Sequence, residues 1–429
     1  MKKLAQRNTT TETQPLPVQS GAEQPLSPDP TRPIPAVFLK SATNYPLLYR
    51  KRIERIEGKA RPGDLVAIYH EDQLLGYGLY NPRSEIVVRV VRRGRQLPDD
   101  LFWDGLLARS ANLRRSLLQL DEVTDAYRLI HAESDGFSGL MVDRYGDVLS
   151  AETFSLGMFQ RAGQILARLH AIVGTHHSLI LPGPKMLAQE GIAAEPIASP
   201  ELPSQVTITE FGTRFRVRFQ GGHKTGFFCD QRENRRRLAE MCRGRTVLDL
   251  CCYTGGFSIQ AKKLGQASEV TGVDLDEAPL RLARDNANLN QVRVQFVQAD
   301  AFAYMRDMLR NGRQFDVVVL DPPKLINSRA QLEEGTQKHF DLNRLAMQLV
   351  SPGGLLLSCT CAGLLPESEF SRLLYAASRQ AGPLLDDGSQ RHAPREVQIL
   401  ARSGAAPDHP VAPSCPETEY LSAIWMRML

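Results

Sequence analysis

Near the carboxyl end of the chain, the stretch Leu357-Ser358-Cys359-Thr360-Cys361-Ala362-Gly363 sets two thiols one residue apart. Thiols pack as small hydrophobes, hold metals, or act as nucleophiles once deprotonated. The metal reading finds no support, because none of the seven cysteines forms the C-x-x-C pair of a zinc site. Cys359 falls on the apolar run "GGLLLSCT", where packing is expected. Cys361 falls where that run gives way to a turn beside Gly363, an edge at which a thiol can be reached. Upstream, "VVVLDPPK" puts Asp321 at the end of another valine-rich run. Proline is poor inside a parallel strand, so Pro322 and Pro323 mark the strand's end and stiffen the loop that follows. Lys324, next in that loop, could meet a phosphate.

Three further acids recur with the same placement. "TVLDLCCYTGGFS" carries Asp249 at a strand end, followed by a turn in which Gly255 and Gly256 let the backbone approach a ligand before a helix begins. Asp274 ends the next run, "EVTGVDL", at the distance where an acid can grip ribose hydroxyls. Asp300 closes a third run, "VQFVQAD". The turn has neither the G-x-G-x-x-G of a pyrophosphate binder nor a P-loop. A nucleoside cofactor without phosphate therefore suits the edge best, and S-adenosylmethionine is such a molecule. The alternative is that these acids only cap helices.

The elements that would carry these residues alternate strand and helix from about residue 236 onward. Valine- and leucine-rich runs alternate with amphipathic helices, which argues for a parallel sheet covered on both faces, with ligands at the strands' carboxyl ends. Before it, residues 34–108 read as short β segments of a small barrel or half-barrel, and residues 109–198 as a mixed α+β unit. Residues 1–33 are polar and proline-rich and are expected to form a disordered tail. The last domain is placed at 199–429. The fold class is α/β, with a Rossmann-like C-terminal domain.

A chain of 429 residues exceeds one ordinary core, so several domains are expected. No apolar run is long enough to span a bilayer, and the basic N-terminus lacks the apolar core of a signal peptide, so a cytoplasmic protein without a membrane role is expected. A net charge of +4 permits a polyanionic partner without requiring one. Arg92, Arg93 and Arg95, or Arg232, Arg235, Arg236 and Arg237, form clusters that could meet phosphates; each could equally be a solvated face.

Taken with "GGHKTGFFCDQRENR", the motifs resemble those of bacterial S-adenosylmethionine-dependent large-subunit rRNA cytosine-C5 methyltransferases. "GDLVAIYHEDQLLGYGLYNPRSEIVVRVV" resembles that family's N-terminal PUA domain, an RNA-binding β fold. "YRLIHAESDGFSGLMVDRYGD" resembles its central domain. The resemblance implies a class I methyltransferase domain acting on 23S rRNA, naked or in a ribosomal particle, as a monomer or homodimer. It implies that Asp249, Tyr253 and Gly255 surround the methionine end of the cofactor, Asp274 the ribose and Asp300 the adenine. Lys224, Phe228 and Asp230 would line the cofactor's other side. Lys51, Arg52, Arg55 and Arg83 become candidates for phosphate contacts.

Cytosine C5 is a poor nucleophile, so its methylation needs a thiolate that adds to C6 and makes C5 enamine-like. The resemblance assigns that role to Cys361 and makes Asp321 its catalytic partner, accepting from the base's amino group or N3–H. Pro322, Pro323 and Lys324 would flank the flipped base. Amino-group methyltransferases usually carry an aromatic residue after the two prolines, where this chain has Lys324. An rRNA guanine N-methyltransferase with a structural Cys361, and a catalytically silent RNA-binding assembly protein, are the competing expectations.

Overall fold

The computed structural model describes residues 16–17, 23–29, 31–219, 226–385 and 391–429. The first sheet is built from β1 (Ala36–Leu39), β2 (Leu47–Tyr49), β3 (Ile53–Glu57), β4 (Leu65–His70), β5 (Gln73–Tyr80) and β6 (Ile86–Arg93), in the order β2-β6-β5-β4-β1-β3. Alternate residues of these strands, among them Val37, Leu39, Val66 and Ile68, close on one small core.

Helix α1 (Asp100–Asn112) follows, capped by the Asp99 carboxylate, which accepts from the Phe102 N–H. Its buried side, Trp103, Leu106 and Leu107, packs with Phe137, Leu140 and Ile165 of the next unit. The expected boundary at residue 108 therefore falls inside a helix. The sheet ends at Arg93, and the helix goes with the second unit because its apolar stripe is buried there.

That second unit holds β7 (Ala126–His131), β8 (Leu140–Tyr145), β9 (Val148–Thr153), α2 (Ala162–Val173), β10 (His177–Pro182) and β11 (Ile197–Ala198), with sheet order β11-β10-β9-β8-β7. Part of the expected disordered tail is ordered upon it. Leu26 is buried in this unit's core, its carbonyl accepts from Trp103 Nε1 at 3.0 Å, and the Gln24 N–H donates to the Gln160 carbonyl. One leucine with two such bonds anchors a stretch whose composition alone predicts none. The rest of the tail, apart from 16–17 and the residues just before β1, lies outside the described residues.

A hairpin, β12 (Gln205–Glu210) and β13 (Thr213–Arg218), leads to the third and largest unit. Its elements are α3 (Arg232–Glu240), β14 (Thr246–Leu250), α4 (Gly256–Lys263), β15 (Glu269–Asp274), α5 (Glu277–Leu289), β16 (Gln295–Gln298) and α6 (Ala301–Arg310). They continue with β17 (Phe315–Leu320), α7 (Leu332–Leu349), β18 (Val350–Thr360), α8 (Glu367–Ser378), β19 (Val397–Ser403) and β20 (Ser422–Met428). The sheet order is β16-β15-β14-β17-β18-β20-β19, parallel through β18 and antiparallel at β20 and β19. The order of strand addition reverses between the parallel neighbours β14 and β17, the switch point at which such sheets bind ligands. One face packs Leu248, Val318 and Leu356 against α7 and α8; the other packs Val247, Val317, Val319 and Leu357 against α3 and α4. Among the described residues no helix is long and apolar enough to cross a membrane.

Candidate functional site

Strand alternation determines which side chains meet at the carboxyl edge. On β14, β17 and β18, residues Val247, Val319 and Leu357 lie on the α3–α4 face. Counting in twos from them reaches Asp249, Asp321, Cys359 and Cys361, and Val270 on β15 leads in the same way to Asp274. Residues far apart in sequence thus converge on one face.

Asp249 is 1% exposed. Its Oδ2 accepts from the Ser258 backbone N–H at 3.0 Å and from Ser258 Oγ at 2.6 Å, which ties the strand end to the first turn of α4. Its Oδ1 is buried and accepts nothing from the described residues. The turn between is tightly wound, with Cys251 (φ 61°), Tyr253 (φ 50°) and Gly255 (φ 81°) all left-handed. Gly255 needs its freedom twice over, since a Cβ there would also stand 3.0 Å from Phe296 Cζ. Asp274 braces this turn, its Oδ2 accepting from the Tyr253 N–H at 2.8 Å and its Oδ1 from Asp276 N at 3.0 Å. Asp300 lies two residues beyond the end of β16 and caps α6, Oδ1 accepting from Ala303 N at 3.0 Å, with the side chain exposed. The helix-cap alternative therefore describes part of what this acid does.

Opposite the turn, Phe228 is partly exposed and meets Tyr253 edge-on, ring centres 5.2 Å apart. Asp230 Oδ2 accepts from the Tyr420 hydroxyl at 2.7 Å, while its buried Oδ1, like that of Asp249, accepts nothing from the described residues. Lys224 lies outside the described residues.

Asp321 follows β17 directly, and its N–H reaches the Leu250 carbonyl of β14. Its Oδ2 accepts from Gln231 Nε2 at 3.1 Å. Burial, reinforced by Asp230 and Asp249, pushes its carboxyl up to about 7. Burial likewise raises Asp249 to about 7, against the lowering effect of its two bonds from Ser258. Pro322 is buried, and Pro323 and Lys324 are exposed on the loop. Crowded, partly desolvated carboxylates favour a cationic ligand, or protons in its place.

The two thiols part company as their positions suggest. Cys359 is fully buried among Trp425, Leu357 and Ala423, and burial lifts its thiol far above the ordinary range. Burial raises Cys229, Cys251 and Cys252 as well. Cys361 is half-buried just beyond β18. A turn holds it: Thr360 Oγ1 accepts from the Ala362 N–H at 3.3 Å and lies 3.2 Å from His339 Nε2 of α7. Burial lowers His339 to about 4, so the ring under this turn is neutral.

The basic clusters divide. Arg232 and Arg235 are buried, Arg232 pairing with Asp408 at 2.8 Å and Arg235 with Glu210 at 2.7 Å, so neither is free for phosphate. They project inward because α3 turns that face toward the hairpin and the 404–421 loop. On the first sheet Lys51 and Arg55 are exposed and Arg52 half-buried; Arg55 stacks 3.7 Å over the Phe38 ring. Arg83 instead donates to the Gly191 carbonyl of the second unit. Residues the sequence reading overlooked are Ser258, Gln231 and Tyr420. The first two sit close in sequence to recognised motifs, whereas Tyr420 is brought in only by the chain's final strands.

The nucleoside cofactor can be tested against this donor set. Two buried carboxylate oxygens, Asp249 Oδ1 and Asp230 Oδ1, receive no donor from the described residues, and ribose hydroxyls and an ammonium group are donors. The residues fit such a molecule.

Comparison with known proteins agrees. Residues 185–386 match a family described as S-adenosylmethionine-dependent methyltransferase, and residues 40–93 match a PUA-like domain. A protein of Pseudoalteromonas atlantica named ribosomal RNA large subunit methyltransferase I is 34% identical over 391 residues, covering 90% of this chain and 95% of its own. One of the same name from Aeromonas hydrophila is 37% identical over 394 residues, covering 89% and 95%. A solved structure titled as a methyltransferase complexed with SAH superposes with a TM-score of 0.74 at 22% identity, over 91% of this chain and 99% of that one. The architecture is therefore a PUA-like domain joined to a Rossmann-like S-adenosylmethionine-dependent methyltransferase domain, and the cofactor is S-adenosylmethionine.

Proposed function

This chain belongs to the ribosomal RNA large subunit methyltransferase I family, and on that premise we propose that it methylates C5 of a cytosine in 23S rRNA through a covalent bond from Cys361 to C6. The observation that carries the reading is the shared face of Asp249, Asp321 and Cys361 at neighbouring strand ends. Cys361 and Cys251 are the half-buried thiols at this edge, and Cys361 is the one that lies beyond β18, on the far side of Asp321 from the cofactor turn that holds Cys251. S-adenosylmethionine, when bound, would supply an electrophilic sulfonium methyl group for C5 to attack, with the neutral thioether S-adenosylhomocysteine as the leaving group.

The residues of the chain do the rest. Cys361 loses its proton to solvent and adds to C6. Asp321, in its protonated form, gives a proton to N3, so that the electron pair of the C5–C6 double bond is made available at C5. After methylation the C5 proton passes to water, the sulfur–C6 bond breaks, and N3 returns its proton to Asp321. A carboxyl near 7 suits this exchange, since acid and base forms are both populated at neutral pH. Asp249, Tyr253, Gly255, Asp274 and Asp300 serve the cofactor from one side, and Lys224, Phe228 and Asp230 from the other. Pro322, Pro323 and Lys324 border the flipped base. Extruding that base costs a few kcal/mol, least in an unpaired segment. Lys51, Arg52 and Arg55 of the PUA-like domain are proposed to meet phosphates.

The test is covalent capture. With S-adenosylmethionine and RNA containing 5-fluorocytidine, the wild-type protein should form a denaturant-resistant adduct, because fluorine cannot leave C5 as a proton does. Cys359→Ala should still form it and Cys361→Ala should not. No adduct from wild type, with methyl transfer to guanosine instead, would replace this reading with an N-methyltransferase.

A further inference from the structure

Gln231 closes the short turn Cys229–Gln231 before α3 and is 4% exposed. Its Nε2 donates to Asp321 Oδ2 at 3.1 Å, and its Oε1 accepts from Asn234 Nδ2 at 2.6 Å. A side-chain amide can turn over with little change in shape, so its direction is set by its neighbours. Here the neighbours leave one choice. Trp425 Nε1, which can only donate, gives its hydrogen to Ser403 Oγ at 2.8 Å, and Ser403 Oγ donates to Asn234 Oδ1 at 2.8 Å. On its other side Asn234 Nδ2 donates to the Gly404 carbonyl, which can only accept, at 3.2 Å. Asn234 is thus fixed from both ends, and it must present nitrogen to Gln231. Gln231 must then present oxygen to Asn234 and nitrogen to Asp321. The relay runs from β20 through β19 and α3 to the end of β17.

We propose that Gln231 is a positioning residue for Asp321: its amide, held in one direction by Asn234, Ser403 and Trp425, keeps Oδ2 as a permanent acceptor and leaves Oδ1 to carry the proton exchanged with the target base. This rests on the cytosine-C5 reading. A carboxyl oxygen facing an N–H cannot also bear a hydrogen there, so the proton is confined to the other oxygen. The same bond favours the ionised form and opposes the crowding from Asp230 and Asp249. Among the described residues, Arg235, Cys251 and Cys359 also face Asp321.

Three variants test the relay. Gln231→Leu removes the donor. Gln231→Glu replaces it with a second acceptor. Asn234→Asp leaves Gln231 in place but asks its nitrogen to face the new carboxylate, which turns its oxygen toward Asp321. Asp321 titration is read in the protein without RNA by carboxyl carbon NMR, assigned with Asp321→Asn, and beside it the pH profile of single-turnover methylation. Gln231→Leu should raise the titration by about one unit, a tenfold change in proton affinity, and Gln231→Glu by more. Asn234→Asp should move it in the same direction. The pH profile should shift upward in step, with S-adenosylmethionine binding retained.

Titration and profile superimposable on wild type in both Gln231→Leu and Asn234→Asp would overturn the proposal, even if rates fell. Loss of fold in both would overturn it too, since the relay would then be a purely structural element. The titration needs no RNA, so wild-type protein that makes no 5-methylcytidine would sink the functional reading separately.

Discussion

Cys359 and Cys361 differ by one strand pleat's worth of chain, yet their environments assign them opposite fates. Cys359→Ala should cost about 1 kcal/mol of stability through a small cavity and leave methylation within tenfold of wild type, as denaturant unfolding and methyl transfer would report. Asp249 and Asp321 make a second claim testable at this scale. Both sit near 7, well above an ordinary aspartate, so between about pH 4 and 7 the native protein holds protons that the unfolded chain has released. These two groups therefore take stability away as pH rises through that window. A sulfonium cation bound among them opposes the loss. The melting-temperature gain from S-adenosylmethionine should be larger at pH 8 than at pH 6, and the gain from S-adenosylhomocysteine, which lacks that charge, should change less. Equal gains at both pH values would mean the carboxylates do not face the cofactor's charge.

At the scale of elements, the strand-and-helix alternation after residue 236 was legible because valine-rich runs and turn signals recur in order. Parity could be read too: the same count in twos that buries Val319 and Leu357 delivers Asp321 and Cys361 to one face. What composition could not show was the role of Asp300, which caps α6 beyond a strand two residues shorter than expected. Nor could it show Gln231, because the relay that orients it joins α3 to β19 and β20, nearly two hundred positions downstream. The cofactor turn offers its own test. Gly255→Ala should destabilise the protein by about 1–2 kcal/mol, since it forces a side chain into left-handed backbone against Phe296. S-adenosylmethionine affinity, by calorimetry, should fall with it.

Across the whole molecule, the second and third units are joined by buried charge. Asp408 pairs with Arg232 on α3, accepts from the Arg128 N–H of β7 at 2.9 Å, and offers its carbonyl to Arg114 at 2.7 Å. Arg114 also binds Asp135, and Arg128 binds Asp143. Arg232 is fully buried, so removing the Asp408 carboxylate would strand its charge in the interior, whereas Arg114 keeps the Asp408 carbonyl and Asp135. Asp408→Asn should cost about 3–5 kcal/mol and be seen as a lowered denaturant midpoint. An unchanged midpoint would mean this joint carries no stability. The sequence disguised this joint: "RENRRR" reads as a basic surface until partners from distant segments are folded against it. Leu26 in the polar leader and α1 beyond the expected boundary were hidden for the same reason, since each is ordered by a core built from other segments.

The central claim is methyl transfer to cytosine C5 by way of Cys361. Labelled S-adenosylmethionine and 23S rRNA from cells lacking this activity should be incubated with the protein, and the RNA digested to nucleosides. The account predicts label in 5-methylcytidine that disappears with Cys361→Ala and persists with Cys359→Ala. Label in a methylated guanosine, or 5-methylcytidine still formed by Cys361→Ala, would contradict it.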